Sequence, residues 1–411
     1  MVLNFHFKSL QLFVLILFGL QVILSCSDNN SKEINILPTA IEAELAGEIL
    51  VGPSVLNLDN QFVWGASVIK GEDQKYHMFF NTFVSGDTLP VFTDGWVLGS
   101  KIGYAVSDFP DRDFQFKKII LEGALQTGAF PAWDAQMVTN PHIKKFNGTY
   151  YLYYVGSTDP KNLPNYQEDR PLDKRTRVQQ FQKIGVVEFD TFDDLLNGKF
   201  SRSIHPILAP RTRVKKDFVV NPSPNGTLLQ PDNLIVTNPS VVFRPSDKKY
   251  LLYFKGNVYD PHWRGVHSVA ISDTPTGPFS FMDDYVFDIK LEDGRIASAE
   301  DPYVWFHQNT LQFYAIIKDF SGTITESAPG LAILKSTDGI TWKKLKKPLF
   351  MDKTVTLKNG QTIKVNRLER PFLLTDEKGL PLVFYAACSI IDINPTQKGH
   401  SFNIHIPVVV N

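Results

Sequence analysis

The chain has 411 residues, two cysteines and a formal net charge of −1, from 42 basic and 43 acidic side chains. With no basic excess to hold a phosphate backbone, nucleic acid is excluded as a natural partner. Two cysteines, Cys26 and Cys388, are too few for a disulfide framework or a cysteine metal site.

The first residues read as an export signal. Lys8 precedes an apolar run from Leu10 to Leu24, broken only by Gln11, Gly19 and Gln21, and Leu24-Ser25-Cys26 closes it ahead of the polar stretch Ser27–Glu33. The run is short for a comfortable membrane span, and a small residue stands at the cleavage point. The pattern resembles a bacterial lipobox, which implies lipidation of Cys26 and a membrane partner through that anchor; the alternative is an uncleaved N-terminal anchor helix. The expected organisation is a signal peptide over residues 1–25, a tether over 26–45 and one domain over 46–411. The expected location is the bacterial cell envelope, lipid-anchored at the outer membrane on its periplasmic or outer face. Cys388, inside the apolar run Val383–Cys388, reads as a buried structural thiol.

A repeat organises the remainder. Five segments pair a short polar motif and apolar strand with a turn and an aromatic strand. They begin at Trp64-Gly65-Ala66-Ser67, Thr139-Asn140-Pro141-His142, Thr237-Asn238-Pro239-Ser240, Glu300-Asp301-Pro302-Tyr303 and Glu369-Arg370-Pro371-Phe372. Each reads as a hairpin of β-branched and aromatic residues. Third strands follow at Ile102–Asp108, Ile184–Glu188, Val266–Asp273 and Leu331–Ser336, and closing strands are expected at Gly277–Phe281 and Gly339–Lys343. Units of roughly 60–100 residues, each a four-stranded sheet, define an all-β protein, a five-bladed β-propeller. In the fifth unit only Ser401–Val409 is available to close the blade. Glu48–Leu58 is expected to complete it or cover its edge, since an open edge invites aggregation. A single short helical turn is expected near Thr191–Leu196, and the charged, Pro-containing insert Asn162–Lys183 is expected to form a loop that caps the pocket or mediates dimer contacts. Oligomeric state is not legible.

In a propeller the first strand of each blade lines the axis, so the five pairs ahead of the strands are neighbours around one hole. Against a bland Thr-Asn pattern, Glu300, Asp301, Glu369 and Arg370 stand out; charged groups there need solvent or partners. Asp134, in Trp133-Asp134-Ala135-Gln136, is a further candidate acid, or else a turn cap. As neighbours in a strand, Glu300 and Asp301 are expected to face opposite ways. The alternative for Glu369 and Arg370 is that they salt-bridge their neighbours and brace the channel.

The phrase Glu300-Asp301-Pro302-Tyr303 resembles the Glu-Gly-Pro element of glycoside hydrolase family 43, in which the Glu is the general acid. The first and third units are similar to that family's Asp-Pro-Ser elements, with Gly65 and Asn238 standing where its Asp residues would be. Across nearly the whole mature chain the likeness to family 117 is greater. Trp64–Gly71, Tyr76-His77-Met78-Phe79, Glu300–Trp305, Lys318-Asp319 and Leu368-Glu369-Arg370-Pro371 carry it. That likeness implies exo-acting, inverting hydrolysis releasing 3,6-anhydro-L-galactose from agar oligosaccharides, with Asp and Glu residues and a His as candidate acid. Here Asn366 and Arg367, not a His, precede Leu368-Glu369.

These readings converge on a glycosidase for an algal or plant polysaccharide, with an oligosaccharide as its substrate partner. Inverting hydrolysis needs one protonated and one ionised carboxyl about 6.5–9.5 Å apart. Glu300 or Asp301 is the expected acid and Asp134 or Glu369 the expected base. Crowded carboxylates split their pKa values, with Arg370 holding one down. Trp64, Asn140, His142, Asn238, His267, Lys318 and Arg370 are candidate substrate contacts, the two histidines alternatively belonging to the core. No cofactor is expected and no metal constellation is evident, with an axial cation ringed by such acids left as an alternative. Two alternatives remain: a glycoside phosphorylase using Arg370, Lys318 and His267 to hold phosphate, and a non-catalytic sugar-binding lipoprotein.

Overall fold

In the first four repeats, four antiparallel strands form one sheet each, and the sheets succeed one another as blades. In this computed structural model, residues 33–84, 91–124, 130–164, 172–211, 230–259, 263–395 and 399–411 are described. The signal peptide and the lipidation site Cys26 lie outside them. Blade I is built from Gln61–Lys70, Tyr76–Val84, Lys101–Ser107 and Gln115–Leu121, and blade II from Met137–Phe146, Thr149–Ser157, Lys183–Phe189 and Ser201–Arg202. Thr237–Arg244, Lys249–Tyr259, Trp263–Ser272 and Ser280–Phe281 make blade III. Ala299–His307, Gln312–Asp319, Gly330–Ser336 and Lys343–Met351 make blade IV. The five-bladed propeller read from the repeat is therefore the fold.

Blade V closes the ring with borrowed chain. Its own strands are Arg367–Thr375, Pro381–Ser389 and Phe402–Val410; the outer edge is paired by Ile36–Pro38, from Ile36 opposite Val410 to Pro38 opposite Val408. Val55–Leu56 pairs the other end of the same strand, at Ile404 and Asn403. The expected completion by Glu48–Leu58 thus holds for Val55–Leu56 alone, while Ile49–Val51 folds back on Glu44–Ala46 as a separate hairpin. Ile36–Pro38, inside the stretch read as a tether, belongs to the propeller, and Phe402–Val410 is a third strand, not a closing one. In blade IV the expected closing strand Gly339–Lys343 is instead a turn, with Gly339 at φ +75°, and the strand starts at Lys343.

The second strands are apolar on both faces because each blade is sandwiched between two others. Tyr150, Leu152, Tyr153 and Tyr154 in blade II, and Tyr250 to Phe254 in blade III, are all buried. Between blades I and II, Phe192 of the short helix Phe192–Leu196 stacks flat on His77 at 3.4 Å between ring centroids, and Thr191 caps that helix by accepting from the Asp194 amide. Cys388 is fully buried, and burial pushes its thiol up. Two further short helices, Phe92–Leu98 and Lys174–Gln179, stand over one end of the axis. The second falls within the insert expected to be a loop.

Candidate active site

At the axis, the sequence pairs become a bulged ring. The second member of every pair has a left-handed backbone: Gly65 at φ +57°, Asn140 and Asn238 at +54°, Asp301 at +58° and Arg370 at +57°. At each of these points the pairing of first and second strand slips by a residue. Gly, Asn and Asp enter this conformation at low cost, and a bulge re-aims side chains at a sheet's end. Arg370 is the exception, at a cost on the order of 1–2 kcal/mol.

Side chains then link blade to blade around the axis. Asn81 donates to Asn140 Oδ1 at 3.1 Å and accepts from the Asn140 amide at 2.7 Å. Asn140 donates to Asn238 at 2.5 Å and Asn238 to Asp301 Oδ1 at 2.6 Å. Asp301 also accepts from the Arg370 amide and guanidinium, both at 3.1 Å. The Arg370 side chain covers Gly65, where a β-carbon would lie 3.3 Å from Nε. The Thr-Asn pattern that looked bland in sequence is this ring.

The bulge also overturns the expected alternation. Glu300 and Asp301 both line the pocket above the ring, as do Glu369 and Arg370. One carboxylate oxygen from each of Glu300, Asp301 and Glu369 lies within 4.8 Å of the other two. Lys318, paired across the sheet from Glu300, donates to Glu300 Oε1 at 2.8 Å and to Glu369 Oε1 at 2.6 Å. Lys255 stands 3.4 Å from the other Glu300 oxygen, and Arg367 Nη1 3.4 Å from Glu369. The acids offer ligand spacing for a cation, but Lys318 already supplies positive charge between two of them.

The two neighbouring acids are driven apart electrostatically. Burial would raise Glu300, but the ammonium groups of Lys318 and Lys255 more than reverse it and bring its pKa to about 2. Burial is the largest influence on Asp301 and raises it; with the charges of Glu300 and Glu369 added, it outweighs the opposing pull of Arg370 and Lys318. Lys318 is itself raised: burial disfavours its charge, and the carboxylates of Glu300 and Glu369 overcome that.

Around this floor is a cavity of about 280 Å³ walled by Trp64, Phe92 and Trp96 on one side and Trp263 on another, with Gln179, Gln180 and Gln182 from the insert. Trp64 meets Phe92 edge-on at 5.1 Å, and Trp263 is 39 % exposed. Indole faces beside amides suit a sugar, which offers an apolar C–H face and a hydroxyl rim.

Among the sequence candidates, Trp64, Asn140, Asn238, Glu300, Asp301, Glu369 and Arg370 come together here, with Lys318 bonded to two of the acids. Asp134 does not. Its carboxylate is buried in blade II outside the pocket lining, accepting from Tyr154 Oη at 2.7 Å and from the Arg202 guanidinium at 2.6 Å in an ion pair. His142 lies beneath the ring and accepts from the Val241 amide at 2.9 Å; burial holds it well below its ordinary pKa. His267 is buried outside the pocket lining; burial and the nearby Lys255 hold it down to about 3. Neither histidine lines the axial pocket. Lys255, Arg367, Asn81 and Trp263 escaped the sequence reading. One signal was present: Lys255 faces Thr237 as Lys318 faces Glu300, so superimposing the third and fourth repeats exposes it.

No protein-family profile matches the chain, and no curated sequence matches it. Solved structures do. A family 117 glycoside hydrolase from the marine bacterium Zobellia galactanivorans is 16 % identical, with 92 % of this chain and 91 % of that one covered at a TM-score of 0.55. A structure named as a complex of BT0996 with RGII is 11 % identical, with 87 % and 90 % covered at 0.54. A third, named only as a glycoside hydrolase, is 12 % identical, with 87 % and 90 % covered at 0.53. At these identities the likeness establishes the propeller fold; chemistry must be argued from the pocket.

Proposed function

We propose that the protein is a glycoside hydrolase acting on oligosaccharides at the axial pocket. The observation that carries this reading is the convergence of Glu300, Asp301 and Glu369 on the floor of an aromatic-walled cavity, with the first two pushed in opposite directions. A pair of carboxyls whose surroundings separate their pKa values is the requirement for acid and base work at one pH. Glu300, held ionised, serves as the carboxylate that faces the anomeric carbon. Asp301, held toward its protonated form, serves as proton donor to the leaving oxygen. Glu369 fixes Lys318. This reverses the acid role open to Glu300 from sequence.

The separation bears on stereochemistry. With one oxygen of each acid within 4.8 Å of the others, the carboxyls leave less room than the roughly 6.5–9.5 Å an inverting pair needs for its water, and sit nearer the roughly 5–5.5 Å of retaining pairs. The spacing therefore favours retention over the inversion implied by the family 117 likeness. A cavity of about 280 Å³ is at the small end for ligand pockets, typically about 300–1,000 Å³, which favours cleavage of a terminal sugar. The N-terminal signal and Cys26 support an enzyme anchored by lipid at the bacterial envelope.

The test is product analysis on agar, carrageenan, arabinan, xylan and pectin oligosaccharides, each with and without phosphate, with proton NMR of the first anomer formed. Phosphate-independent release of a monosaccharide with retained configuration is expected. Release only with phosphate would replace the reading with phosphorolysis, and a first-formed inverted anomer would overturn the assignment of Glu300.

A further inference from the structure

The charges at the pocket floor form an alternating row running from blade III to blade V: Lys255, Glu300, Lys318, Glu369, Arg367. Beneath it, the Arg370 guanidinium lies 3.1 Å from Asp301. Four cationic side chains thus face three carboxyl groups among the described residues, of which Asp301 is the one held toward its protonated form. The surplus is at the two ends. Lys318 makes close bonds to both neighbours, whereas Lys255 and Arg367 each reach their carboxylate only at 3.4 Å.

Such a balance is ill suited to a neutral substrate. Excess positive charge in a partly dry cavity needs a counter-charge, which the hydroxyls of a neutral sugar do not supply. An anionic group on the substrate removes the conflict. The end at Lys255 is shaped for one: its ammonium is 4.9 Å from the centroid of the half-exposed Trp263 ring, and Asn257 lies in the same wall. A sugar stacked on that indole would present a ring substituent to Lys255. At the other end Arg367 donates through Nη1 to Glu369 and through Nη2 to Asn394, and two of the five N–H groups of its guanidinium suffice for these, leaving others for carboxylate or sulfate oxygens.

We infer that the pocket selects a sugar carrying an anionic oxygen group, a uronate carboxylate or a sulfate ester, held by Lys255 and Arg367. This rests on the reading of the pocket as a carbohydrate site but not on turnover, so binding tests it separately. Calorimetry would compare matched pairs: galacturonic acid against galactose oligosaccharides, glucuronides against glucosides, and sulfated against unsulfated galactosides, with inorganic phosphate and sulfate as free anions. At least ten-fold tighter binding of one acidic member than of its neutral twin is expected, with the preference weakening as salt rises. Lys255→Gln and Arg367→Gln should each reduce that preference several-fold, with Lys255→Arg restoring part of it; unchanged melting temperatures would establish that the variants are folded. Neutral twins binding as well as every acidic member, or a preference that survives in the double variant, would overturn the inference. So would free phosphate or sulfate binding as tightly as the acidic sugars, which would assign the row to a free anion. Acid-selective binding without any sugar release would leave this inference standing and remove the hydrolase reading instead.

Discussion

Glu300 owes its ionisation to Lys318 and Lys255 against the tendency of its burial, which gives the site a defined pH response. Its folded pKa lies below the ordinary value, so its contribution to stability is present above about pH 4.5 and lost as pH falls toward 2. Asp301 is raised, so its contribution is full at low pH and lost as pH rises through its folded pKa. Activity that needs ionised Glu300 and protonated Asp301 accordingly falls as pH rises. Lys318 lowers both carboxyls, so Lys318→Met should move both limbs of the pH–rate profile upward, with Lys318→Arg restoring much of the original profile. Profiles that superimpose after scaling would reduce Lys318 to a structural role. The residues of this cluster were legible where they broke a repeat: Glu300, Asp301, Glu369 and Arg370 differ in kind from Thr-Asn. Asp134 misled because its partner Arg202 comes from the last strand of the blade, 68 positions away, and no local pattern reveals that bond.

Strands and blades were readable because period-two patterning and turn residues are local, and five repeats reinforce one another. The bulges were not. Alternation assigns Glu300 and Asp301 to opposite faces, and the left-handed turn that overrides it is a property of a backbone crowded at the axis. Nor does patterning assign the edge of blade V, because Ile36–Pro38 is too short to announce itself and its partner is at the other end of the sequence. That pairing makes a prediction. Ile36 is buried, and removing it and its pairing should cost at least about 2 kcal/mol. A chain starting at residue 40 should therefore unfold at lower urea than one starting at residue 33. Equal midpoints would show that the strand does not secure the ring.

Taken whole, the molecule puts a widespread scaffold under an unusual charge arrangement. Gly65 and Asn238 are both parts of the axial ring: Gly65 lies under Arg370, and Asn238 bonds to Asp301. The acids gather in blades IV and V around Lys318. The pocket's helices, its glutamines and the terminal strand all depend on contacts between segments far apart in sequence, which is why architecture was more legible than mechanism.

The most direct measurement compares sugar release by the soluble domain, from residue 33, with that of Glu300→Gln on the same oligosaccharides, alongside binding of each substrate. The account predicts release by the native protein, a loss of about 10²-fold or more in kcat for the variant, and binding that changes little. Equal turnover by the two proteins would contradict it, as would binding by both with release by neither.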